Sequence, residues 1–140
     1  MNEKRFEEPA VSPNSGPGIK KILLVDDSST SRMTARMLLS GHESYVLSSA
    51  CDGQEGVEKA IAELPNLILM DIEMPRMNGI EACKVLKQNK TTKNIPIILL
   101  TMRGEDTFVR QAYANGCNDF LTKPVNEEKL QAVIKKYLGS

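Results

Sequence analysis

Leu67–Ile68–Leu69–Met70 is apolar at every position, and Asp71 follows it directly. Two other runs are built the same way: Ile22–Val25 (ILLV) and Ile97–Leu100 (IILL). A strand is apolar throughout when both its faces are covered, which parallel sheets achieve with helices on each side. Tyr45–Ala50 (YVLSSA) and Asp119–Leu121 (DFL) are more mixed, as the edge strands of such a sheet should be. The spacing predicts helices between these runs. Val57, Ala60, Ile61 and Leu64 recur at three and four, as do Leu130, Val133, Ile134, Tyr137 and Leu138. Asn126 is placed to cap the last helix, and Ser29–Leu39, Ile80–Gln88 and Asp106–Asn115 are helical in composition. Gly41 and Gly116 stand where helix C-caps belong. Five βα units predict an α/β fold with a doubly wound, five-stranded parallel sheet and five helices, because each parallel crossover needs a dozen or more residues.

The bulk numbers agree. At 140 residues, one domain is the natural expectation. Residues 1–18 hold three prolines and two glycines among polar neighbours, so they read as a flexible tail, with one domain over 19–140. Eighteen basic and eighteen acidic residues give no net charge, hence no electrostatic argument for nucleic acid or a membrane surface. No apolar run reaches the ~20 residues of a spanning helix, and the N-terminus is no secretory signal, so the cytoplasm is the expected compartment with no membrane insertion. Cys51, Cys83 and Cys117 form no CxxC pair and read as small buried hydrophobes; the single histidine, His42, reads as a surface loop residue.

Chemistry gathers at the strand ends. Asp26 and Asp27 follow ILLV as Asp71 follows LILM. In open α/β sheets ligands bind beyond the carboxyl ends of the strands, where the strand order reverses. If the order is 2-1-3-4-5, the first and third strands are neighbours about 4.8 Å apart and the three carboxylates converge. An aspartate after one strand commonly serves as a turn former or helix cap, but three at paired tips exceed that need. Their mutual repulsion calls for protonation or a cation, and hard oxygen donors without histidine or cysteine select Mg²⁺. IILL ends in Thr101, a hydroxyl donor, and DFL is followed by Thr122, Lys123 and Pro124. Lys123 would bring a point charge for an anion to the same pocket, and the proline favours extended geometry before it.

These stretches, VDDS at 25–28, MDIEMPRMNG at 70–79, LLTM at 99–102 and FLTKP at 120–124, closely resemble the receiver domain of two-component response regulators. The family's chemotaxis members are a standard example of the flavodoxin-like 2-1-3-4-5 order, so that order is implied by the resemblance. The resemblance further implies that Asp71 takes a phosphoryl group from phosphohistidine on a sensor histidine kinase or histidine phosphotransfer domain. It implies Mg²⁺ held by Asp27, Asp71 and the backbone carbonyl of Glu73, with Asp26 acting largely through water. Lys123 would pair with the phosphoryl group, Thr101 and Phe120 would throw the switch, and the face from Asp106 to Leu138 would meet an effector protein. Gly79 is expected to permit the turn before the third helix. Met102 stands where a small residue is usual and is expected to narrow access to Asp71, and Glu73 and Arg103 are expected to pair across the pocket mouth.

Two other classes compete. A Mg²⁺-dependent phosphatase with an aspartyl intermediate would carry a second aspartate two places after the nucleophile, where Glu73 stands here. A phosphorylation-independent interaction module would lack one of the aspartates or the lysine, and all are present. With no output domain after Ser140 and none that would bind DNA, the effect is expected to come through binding a partner.

Overall fold

In the computed structural model, residues 19–39, 45–102 and 106–139 are described. The expected tail over 1–18, and also Gly41, His42 and Arg103, lie outside them. Five strands alternate with five helices: β1 Lys20–Val25, α1 Ser29–Leu39, β2 Tyr45–Ala50, α2 Gly53–Glu63, β3 Leu67–Asp71, α3 Gly79–Gln88, β4 Ile97–Thr101, α4 Asp106–Ala114, β5 Asp119–Thr122 and α5 Glu127–Leu138. All strand pairs are parallel, in the order β2-β1-β3-β4-β5. The mixed runs are the edges and the apolar runs the centre, as the pattern predicts. β3 and β4 each run one residue beyond their apolar stretch, because Asp71 pairs with Leu100 and Thr101 with Thr122. Asp71 and Thr101 therefore sit on paired strand, not on loops.

Alternate residues of the central strands enter two separate cores. Leu23, Val25, Ile68 and Met70 pack with α2 and α3, while Ile22, Leu24, Leu67 and Leu69 pack with α1 and α5. This double burial is why these strands carry no polar alternation. Along α2 the predicted stripe is buried only in its first half. Val57 and Ala60 are buried, but Ile61 and Leu64 are exposed, and Leu64 has left the helix to become its left-handed cap at φ 50°.

Local signals at the helix ends hold where side-chain hydrogen bonds set them. Asn126 accepts from the backbone N–H of Lys129 at 3.0 Å. Asn78 and Glu81 close a reciprocal capping box at α3, each bond 2.9 Å. Asn78→Ala should therefore cost about 1 kcal/mol, seen as a lower urea midpoint with an unchanged slope. Gly116 takes φ 100° after α4, and the N–H of Cys117 returns to the Ala112 carbonyl at 3.3 Å, as a glycine C-cap requires.

Two expectations need correction. Gly79 is not the residue that turns the chain before α3; Arg76 takes the left-handed conformation there, at φ 64°. Gly79 is required instead for a close approach, since its N–H donates to the Ile72 carbonyl at 2.9 Å. Cys83 and Cys117 are buried, but Cys51 is exposed, and its thiol donates to Glu55 Oε1 at 3.0 Å. It directly follows the last residue of edge strand β2.

Candidate functional site

The ends of β1, β3, β4 and β5 bring the predicted residues together. Carboxylate oxygens of Asp26, Asp27 and Asp71 all lie within 4.8 Å of one another. Asp26 and Asp71 are 5% and 4% exposed, whereas Asp27 is open to solvent. Lys123 reaches in from the end of β5, its backbone N–H tied to the Thr101 carbonyl at 2.8 Å, with a cis peptide linking it to Pro124. Its Nζ stands 3.2 Å from Asp26 Oδ2 and 3.2 Å from Asp71 Oδ1.

The two contacts differ. Lys123 is aligned to hydrogen-bond Asp26 but not Asp71, so Asp71 Oδ1 is a buried carboxylate oxygen with a charged neighbour and no hydrogen bond. Asp26 is otherwise satisfied: its Oδ1 accepts from the Ser28 N–H at 2.9 Å, and the Arg32 guanidinium donates to its carbonyl. Burial raises the Asp71 pKa to about 6, with the Asp26 charge adding to it and Lys123 opposing it. For Lys123, burial works against the charge, but Asp71 and Asp26 together outweigh it and hold the pKa above the ordinary value. A cluster of oxygen donors with one unsatisfied member at a strand end suits a hard cation and an anion side by side.

Thr101 is 1% exposed, and its hydroxyl donates to Glu73 Oε2 at 2.9 Å. Nothing in the order of residues announced this contact; only the pairing of β3 with β4 puts Glu73 beside Thr101. The expected partner of Glu73 was Arg103, which lies outside the described residues. Phe120 is half-buried, packed against the core under α3 and edge-on to the Tyr113 ring, with centroids 6.0 Å apart. Met102 is 77% exposed. Arg76 forms an ion pair with Asp52, the N-cap of α2, a contact that spacing along the chain does not signal.

Three aspartates and a lysine thus gather at the order reversal of an open parallel sheet, where such sheets bind their ligands. The chain belongs to the response regulator receiver domain family, which it matches over residues 22–135. Protein PilH of Pseudomonas aeruginosa is 39% identical over 119 residues, 85% of this chain and 98% of PilH. The transcriptional regulatory protein ResD of Bacillus subtilis is 36% identical over 118 residues, and the chain spans about half, 48%, of its length. Among solved structures, the receiver domain of a sensor histidine kinase from Pseudomonas aeruginosa, with a magnesium ion coordinated in its active site cleft, superposes with a TM-score of 0.79 at 27% identity. The match covers 87% of this chain and 99% of that one. No helix among the described residues is long and apolar enough to cross a membrane.

Proposed function

We propose that this receiver accepts a phosphoryl group on Asp71 from a phosphohistidine of a sensor histidine kinase or a histidine phosphotransfer domain in the cytoplasm. The observation that carries it is Asp71 Oδ1: a buried carboxylate oxygen with no hydrogen bond, 3.2 Å from the Lys123 ammonium. A carboxylate oxygen of Asp71 attacks phosphorus, the phosphorus–nitrogen bond breaks, and the imidazole leaves with the electron pair and takes up a proton. The product is an acyl phosphate. Lys123 faces the charge that develops on the phosphoryl oxygens, and the domain catalyses its own phosphorylation and later hydrolysis.

The donor set fits Mg²⁺. Asp27 and Asp71 would hold it directly with the Glu73 carbonyl, and Asp26, already engaged by Ser28 and Lys123, would act through water. When bound, the ion supplies positive charge to the phosphoryl oxygens. Because three carboxylates repel in its absence, adding Mg²⁺ should raise the melting temperature, by an increment that grows with the logarithm of its concentration and disappears with EDTA. Thr101 and Phe120 then report the phosphoryl group to the face formed by α4, β5 and α5, which binds an effector protein.

The test is labelling. A radiolabelled small-molecule phosphodonor should modify the protein in a Mg²⁺-dependent way, giving a hydroxylamine-labile adduct. Stoichiometric modification surviving in Asp71→Asn would end this reading.

A further inference from the structure

The Thr101 hydroxyl is committed before any phosphoryl group arrives. It donates to Glu73 Oε2 at 2.9 Å, from a residue that is itself 1% exposed. A hydroxyl has one proton to donate, and a carboxylate is among its strongest acceptors. On the phosphoacceptor reading above, on which this inference rests, a phosphoryl oxygen on Asp71 needs that same proton. We propose that Glu73 is a positioning residue that holds the Thr101 hydroxyl in the resting state and competes with the phosphoryl group for it.

The consequence is a threshold on switching. A ligand moves an equilibrium only by the difference in its affinity for the two states. What the phosphoryl group gains at Thr101 is net of the bond surrendered by Glu73, and the Glu73 carboxylate left behind is a negative charge beside a dianion. Glu73 is exposed, so its side chain can withdraw into solvent once it is displaced. The contact is thus breakable, yet it must be broken each time. Glu73 also stands two residues after Asp71, so no large movement separates the acceptor from the latch.

The experiment uses beryllium fluoride at saturating Mg²⁺, a tetrahedral stand-in for the phosphoryl group, titrated calorimetrically into the whole chain. Glu73→Ala should bind it about five- to tenfold more tightly than wild type, the net scale of one hydrogen bond. Glu73→Gln keeps an oxygen acceptor without the charge and should fall between the two. Thr101→Val preserves the buried shape and removes the hydroxyl. Two groups acting through one contact are non-additive, so in the Thr101→Val background Glu73→Ala should lose its gain. An equal gain in both backgrounds would overturn the proposal, because Glu73 would then act by charge alone; so would no gain in the wild-type background. If wild type itself bound no beryllium fluoride, the phosphoacceptor reading would be the one to fall.

Discussion

Asp71→Asn is expected to abolish phosphoryl acceptance and, in the same preparation, to stabilise the metal-free protein at pH 8. The first effect follows from chemistry: an amide oxygen is a poor nucleophile, and no second carboxylate combines the burial of Asp71 with an unsatisfied oxygen among the described residues. The second follows from the pKa. Burial raises the Asp71 pKa to about 6 in the folded protein, against about 3.9 in an unfolded chain. The folded state then holds more protons than the unfolded state between those values, so stability falls as pH rises through that window. Below about pH 4 the carboxyl is protonated in both states and no penalty exists; above the folded pKa the penalty is complete.

A shift of about two units corresponds to roughly 3 kcal/mol as a ceiling. The substituted protein also gives up an ion pair with Lys123, but Lys123 keeps its hydrogen bond to Asp26. A net gain of roughly 2 kcal/mol near pH 8, shrinking to nothing near pH 4, is the expected outcome of urea unfolding across that range. Mg²⁺ should reverse the ranking. At a hundred times its dissociation constant a ligand adds about 2.7 kcal/mol, enough to offset the ionisation penalty in wild type, while Asp71→Asn has lost a ligand and gains less. A variant no more stable than wild type at pH 8 without metal would show that Asp71 is not penalised by burial.

Gly79→Ala should be strongly damaging, costing about 3 kcal/mol and slowing acceptance at Asp71. A Cβ at Gly79 would lie 2.3 Å from the Asp71 carbonyl oxygen and 2.8 Å from the Ile72 Cα. Both are backbone atoms of the segment that carries the acceptor, so no side chain can swing away to make room. The methyl must displace either the start of α3 or the end of β3. Displacing α3 strains the capping box between Asn78 and Glu81, and displacing β3 moves Asp71 relative to Lys123. Urea unfolding and the labelling rate measured on one sample check both halves. An alanine variant that labels at the wild-type rate would show that the strain is absorbed in the helix.

Which residues stand at the site's edge of the sheet was largely legible along the chain. Strands apolar throughout imply a parallel sheet, and parallel strands all deliver their following residues to the same edge. Asp26, Asp27, Asp71, Thr101 and Lys123 each stand at such an end, and the strand order implied by the resemblance to receivers brings them together. Where the reading failed, the cause was three-dimensional. The apolar stripe of α2 continues to Ile61 and Leu64, which stay exposed, and Cys51 is small and uncharged yet exposed just past the end of β2. Composition says that a residue can be buried; whether a neighbour arrives to bury it depends on the packing.

The linear chain thus carried the fold class, the edge and centre strands and the carboxylates that stand at strand ends, because each of these depends on patterns within one strand or helix. Its resemblance to receivers supplied the strand order. Side-chain partnership belonged to the folded molecule. Lys123 aligns with Asp26 and meets Asp71 Oδ1 by charge alone, Gly79 is spared a side chain for the sake of the Asp71 backbone, and Glu73 takes the Thr101 hydroxyl. Each of these rests on how side chains and backbone from separate segments meet in three dimensions, and spacing along a chain does not encode that.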